Sequence, residues 1–94
     1  MFKTLEELIN VIRQRKVSSV NESYTKKLLD NKKLSVEKVK EEIAELIDAI
    51  EKNSNKVHEA ADVLYHLMVL LEANGIKIED VMNDLKKRQN DKLA

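Results

Sequence analysis

Apolar residues recur along this chain at three- and four-residue intervals, the period of an amphipathic helix. Leu5, Leu8, Ile9 and Ile12 mark a first helix, with Thr4 and Glu7 three residues apart as a capping box at its start and Arg15-Lys16 near its end. A polar connector without period follows, and Ser23 is placed to cap a short helix from Tyr24 to about Asp30. After a break at 31–34, Ser35 is placed to cap a long helix to about Asn53, with Val36, Val39, Ile43, Leu46 and Ile50 as a narrow apolar seam. At about 100° per residue, Lys38, Glu42, Glu45 and Ala49 form a second stripe beside that seam, with Glu42 closest to it and half-buried. Glu41 and Asp48 point further towards water. Lys52-Asn-Ser-Asn reads as a tight loop, with Ser54 or Asn55 as the next cap.

The fourth predicted helix runs to about Asn74, where Gly75 suits its termination. Val57, Ala60, Val63, Leu64, Leu67, Met68, Leu70 and Leu71 cover most of its circumference, so it should be the most buried element. A last amphipathic helix spans Ile78 to Arg88, with Val81, Met82 and Leu85 facing inwards and 89–94 as a frayed tail. A single Gly and no Pro leave no hairpin signal. The fold class is all-α, with four to five helices in one domain over residues 1–94.

Composition narrows the function. Lys+Arg and Asp+Glu both number 17, so the net charge is zero, which argues against nucleic-acid binding by bulk electrostatics. With no Cys there is no thiol nucleophile and no thiolate metal site. The acidic N-terminus does not read as a signal peptide, and no apolar run is long enough to span a bilayer. A cytoplasmic protein is the expectation. At 94 residues the chain buries a modest core, and association of copies is a natural way to enlarge it.

The chemistry lies in the acidic residues. Glu41, Glu42 and Glu45 form E-E-x-x-E, and Glu59 and Asp62 form E-x-x-D. Residues three apart on a helix reach one object together. If the two helices pack side by side, as a short loop favours, four carboxylates meet around one point. Such oxygen donors hold hard cations such as Mg²⁺, the usual companion of substrate phosphates. Acidic pairs on a polar helix face are commonly solubilising, but Glu59 and Asp62 interrupt the most apolar helix, where a carboxylate is costly unless paired or metal-bound. His66 falls within about 60° of them; it is either a satisfied core histidine or a group that orients Asp62. Tyr24 and Tyr65 read as packing residues with tethered hydroxyls. Lys38 is either an ion-pair partner of Glu42, one turn on, or a phosphate contact. Arg13, Arg15 and Lys16 are either a solvated helix end or an anion clamp.

Four stretches together are similar to one family. S-Y-T-x-K-L-L (Ser23–Leu29), K-V-x-E-E-x-x-E (Lys38–Glu45), E-A-A-D-x-L-Y-H-L (Glu59–Leu67) and Arg88 resemble phosphoribosyl-ATP pyrophosphatase, of the all-α MazG-like superfamily, in order from about Leu5 to Arg88. The resemblance implies Mg²⁺-dependent hydrolysis, with Mn²⁺ as an alternative, of 1-(5-phosphoribosyl)-ATP to 1-(5-phosphoribosyl)-AMP and pyrophosphate, the second step of histidine biosynthesis. It implies metal ligands at Glu42, Glu45, Glu59 and Asp62, with Glu41 as a further catalytic participant. It implies substrate contacts at Arg15, Lys16, Ser23, Tyr24, Thr25, Lys38, His66 and Arg88. It implies a homodimer whose helices complete the bundle, and a separate cyclohydrolase for the next step. Two alternatives remain: a MazG-like housekeeping nucleoside triphosphate pyrophosphohydrolase, and a non-catalytic helical dimerisation module whose carboxylates pair with lysines.

Overall fold

In a computed structural model, residues 2–18 and 23–91 are described, and all regular structure among them is helical. The five helices are α1 (Lys3–Val17), α2 (Tyr24–Asp30), α3 (Lys32–Lys52), α4 (Lys56–Ala73) and α5 (Ile78–Asp91). The core forms where α1, α2 and α4 meet. Ile12, Leu28 and Val69 are fully buried there, with Ile9, Leu29 and Met68 around them. α3 lies along α4, joined to it by the three residues 53–55. Both asparagines of that turn are left-handed, Asn53 at φ 52° and Asn55 at φ 60°. Asn tolerates this region better than most side chains.

Helix ends follow local chemistry, with departures from the sequence reading at α1, α3, α5 and the start of α4, where Asn55 occupies the capping position without a side-chain hydrogen bond. Ser23 caps α2 as predicted, its Oγ accepting from the Lys26 N–H at 3.3 Å. Gly75, at φ +69°, closes α4, and the Ile76 N–H reaches back to Leu71 O at 2.9 Å. At α1, however, Phe2 is the capping position, its carbonyl receiving the Leu5 and Glu6 N–H groups, so Thr4 lies inside the helix and no Thr4–Glu7 box forms. The predicted break at 31–34 shrinks to Asn31, whose side chain accepts from the Leu34 N–H at 3.1 Å. Asn31 takes the capping role assigned to Ser35. Ser35 is instead buried inside α3 and donates from its hydroxyl to Leu28 O at 2.5 Å, tying α3 to α2. α5 continues through Gln89 to Asp91, where a frayed tail was predicted; 92–94 lie outside the described residues.

Which faces are covered differs from the periodic reading. α3 buries Val39, Glu42 and Ala49, largely the stripe that carries the carboxylates. Much of its more apolar seam stays in water: Val36, Ile43 and Ile50 are exposed, and Ile47 beside them. On α4, Val57 and Leu64 are also exposed, so the most apolar helix is covered on one side only. α5 turns Met82 and Leu85 outwards, contrary to the inward face predicted. Ile78 packs against the core, and Arg13 pairs with Glu79.

Candidate active site

Three carboxylates predicted to meet do so. Glu42 and Glu45 on α3 and Glu59 in the first turn of α4 bring one oxygen each to within 4.8 Å of one another. Asp62 joins from the side, grouped with Glu59 and His58 at the same spacing, so Glu59 is common to both clusters. Placement follows from the short loop: it sets the last turns of α3 beside the first turns of α4, and the i, i+3 spacing turns each acidic pair to the same side.

The electrostatics mark this cluster as under-compensated. Glu42 is buried, and its Oε2 has no hydrogen-bond partner; the Oε2 of Glu59 is orphaned in the same way. Loss of solvent pushes the Glu42 carboxyl above its ordinary range, and sharing a hydrogen bond and negative charge with Glu45 pushes it further. Glu59 is raised by loss of solvent, then by Glu45 and Asp62. The nearby lysines serve the outer acids instead: Lys38 Nζ sits 3.5 Å from Glu41 and Lys52 Nζ 3.1 Å from Asp48, while the His58 imidazole lies with Nε2 3.3 Å from Asp62. Among the described residues no lysine or arginine forms an ion pair with Glu42, Glu45 or Glu59. A cleft of about 490 Å³ opens beside them, lined by Glu41, Glu45, Asp48, Lys52, Asn55 and Glu59.

Orphaned carboxylate oxygens facing one another fit a hard divalent cation, because only a positive charge or a shared proton relieves them. An all-oxygen donor set suits Mg²⁺ or Mn²⁺ over softer metals.

The predicted substrate residues divide into two groups. Ser23, Tyr24 and Thr25 open α2, against α4: Tyr24 Oη is 3.1 Å from His66 Nε2, and Thr25 Oγ1 is hydrogen-bonded to the Tyr65 hydroxyl. Lys38 stands in this neighbourhood, its ammonium stabilised chiefly by Glu41. Its ion-pair partner is Glu41, three residues on, in place of Glu42. His66 is buried, and its Nδ1 meets the backbone oxygen of Asp62 at 2.9 Å instead of the Asp62 carboxylate. The second group lies elsewhere in the chain. Lys16 donates to Glu72 O at 2.7 Å, which at about 1.5 Å per residue is some 15 Å along α4 from Asp62. Arg15 is exposed on the last turn of α1, and Arg88 pairs with Asp84 at 2.7 Å on α5. Arg13 is no anion clamp here: it holds Glu72 at 3.1 Å and Glu79 at 2.6 Å.

Sequence reading missed two features. The i, i+4 spacing of His58 and Asp62 was visible and would have placed an imidazole at the cluster's edge. The Arg13–Glu72–Glu79 group joins three helices, and nothing local announces it.

Fold and site together define an all-α protein with an acidic cluster between two long helices, suited to a hard cation. A profile of the phosphoribosyl-ATP pyrophosphohydrolase family matches residues 5–89, and the chain belongs to that family. It is 40% identical over 91 residues to the phosphoribosyl-ATP pyrophosphatase of Methanococcoides burtonii, covering 92% of each chain. It is 42% identical over 89 residues to the Clostridium novyi protein of the same name, covering 90% of this chain and 80% of that one. It also matches the histidine biosynthesis bifunctional protein HisIE of Pyrococcus furiosus, 42% identical over 86 residues; 90% of this chain corresponds to 41% of that longer protein.

Proposed function

We propose that this chain hydrolyses phosphoribosyl-ATP to phosphoribosyl-AMP and pyrophosphate, as a cytoplasmic enzyme of histidine biosynthesis. The observation that carries the reading is the convergence of Glu42, Glu45 and Glu59, with two buried oxygens lacking partners, in a member of this family. Glu42, Glu45, Glu59 and Asp62 would hold Mg²⁺, with Mn²⁺ as a substitute. When bound, the cation neutralises phosphate oxygens and lowers the pKa of an attacking water. Lys38, at the rim beside Glu41, supplies a positive charge for a phosphate oxygen. The cleft continuing past Asp48 and Lys52 gives a polyphosphate room beside the carboxylates.

The functional unit is a homodimer. The apolar face of α3 and α4, with Ile43, Ile47, Ile50, Val57 and Leu64 exposed, supports this, because monomers rarely leave such a patch in water. Ile50→Asp should shift the sedimenting species towards monomer at micromolar concentration.

The deciding assay is pyrophosphate release by the purified chain with Mg²⁺, from phosphoribosyl-ATP and plain nucleoside triphosphates side by side. Turnover of phosphoribosyl-ATP alone, lost on chelation, is the expected result. Comparable turnover of plain triphosphates would move the chain to housekeeping hydrolysis, and no turnover of either would leave a dimerisation module.

A further inference from the structure

Tyr24 keeps 47% of its surface in water although its hydroxyl is already engaged. The Asp62 carbonyl only accepts, so His66 Nδ1, at 2.9 Å from it, carries the proton. In that tautomer Nε2 is the acceptor, and the Tyr24 hydroxyl donates to it at 3.1 Å. The Tyr65 ring lies nearly parallel to that of Tyr24, at 19° and 6.4 Å between centroids. Tyr65 is itself fixed, edge-on to His66 at 4.9 Å and bonded to Thr25. The Tyr24 ring is thus held by its place at the start of α2, by His66 and by Tyr65.

What this leaves available is aromatic surface. The hydroxyl, having given its one proton to His66, has none left to donate to a ligand. A ring immobilised in advance loses little freedom when a second ring stacks on it. His66, which holds the Tyr24 hydroxyl, is itself bonded to the backbone carbonyl of Asp62, so the ring stands at the edge of the carboxylate cluster. Resting on the reading of the substrate as an adenine nucleotide, we propose that the Tyr24 ring is the platform on which the purine base stacks. His66 is then a positioning residue, holding that ring without touching substrate. Base recognition on α2 and phosphate chemistry at α3–α4 would be joined through α4, which carries both His66 and Glu59.

The test is steady-state kinetics of the full chain with Mg²⁺ and phosphoribosyl-ATP. Tyr24→Leu should raise KM roughly tenfold or more, the range set by loss of one base–aromatic stack, and leave kcat within about threefold. Tyr24→Phe keeps the ring and should raise KM by less. His66→Leu should match Tyr24→Phe, and His66→Gln, whose amide oxygen can accept, should restore KM. Competitive inhibition by inorganic tripolyphosphate, which has no base, should be the same in Tyr24→Leu and wild type. An unchanged KM in a folded Tyr24→Leu variant overturns the platform. So does parallel weakening of tripolyphosphate, which would mark Tyr24 as merely structural. Should wild type hydrolyse no phosphoribosyl-ATP, the proposed activity fails, and AMP titration by NMR still decides the platform. Upfield ring-current shifts of adenine H2 and H8 with wild type and Tyr24→Phe, but not Tyr24→Leu, support it; their absence with wild type overturns it.

Discussion

Helix α4 encloses a carboxylate near each end, and the two are treated oppositely. At the C-terminal end, Glu72 is buried against Arg13, whose guanidinium also grips Glu79. Both carboxylates there share one guanidinium: Arg13 is held protonated well above its usual range by Glu79 and then Glu72, and Glu79 is drawn down to about 2 by Arg13. At the N-terminal end, Glu59 faces Glu42 and Glu45, and the nearby lysines pair with the rim acids Glu41 and Asp48 instead. A buried carboxylate given a guanidinium holds helices together. One that faces other carboxylates raises the pKa of each and stays poised for a cation.

Substitution should break this contrast most sharply in activity. Glu42→Ala or Glu59→Ala should lower the rate of pyrophosphate release by on the order of 10²–10³-fold, the usual loss when a charge-stabilising contact is removed from an active site. The melting temperature at neutral pH, without divalent cation, should equal or exceed that of wild type, because an uncompensated charge is removed. A large fall in melting temperature would make these carboxylates structural.

Glu72→Gln should do the reverse. It leaves Arg13 with Glu79 alone and should cost about 2 kcal/mol, below the full value for a buried pair because Arg13 is one-third exposed. For a chain of this length that corresponds to a fall of roughly 10 °C in melting temperature. Specific activity of the folded fraction should remain that of wild type.

A smaller effect should appear on titration without divalent cation. Glu42 and Glu59 both titrate above the ordinary 4.5 in the folded chain. Their negative charge therefore costs the folded state stability at neutral pH, and protonation as pH falls through the raised values removes that cost. Glu79 has the opposite sign: its contribution is complete above 4.5 and lost as pH falls towards about 2. Thermal stability should rise from neutral to mildly acidic pH and collapse only in strong acid. A double Glu42→Gln, Glu59→Gln variant should flatten the rise and keep the acid collapse.

Much of this was legible in the sequence because it is local. The Ser23 cap, the stop at Gly75 and the shared side of Glu42 and Glu45 follow from spacings within one helix. The cap at Asn31 was missed because Ser35 offers an equally good local signal; burial against Leu28 decided between them. The Arg13–Glu72 pair spans 59 positions, so no periodicity could announce it. The exposed seam of α3 was misjudged for a related reason. Periodicity identifies an apolar face but not what covers it, and α4 packs on the side of α3 that holds Glu42 and Ala49.

The measurement that bears most directly on the cluster is thermal stability against Mg²⁺ concentration at neutral pH, for wild type, Glu59→Ala and Glu72→Gln. A saturable rise is predicted for wild type, reaching about 2.7 kcal/mol when the cation is at 100 times its Kd. The same rise should appear in Glu72→Gln from a lower starting point, and none in Glu59→Ala. A wild type indifferent to Mg²⁺, or a Glu59→Ala variant that responds as wild type does, would contradict the assignment of these carboxylates to a cation.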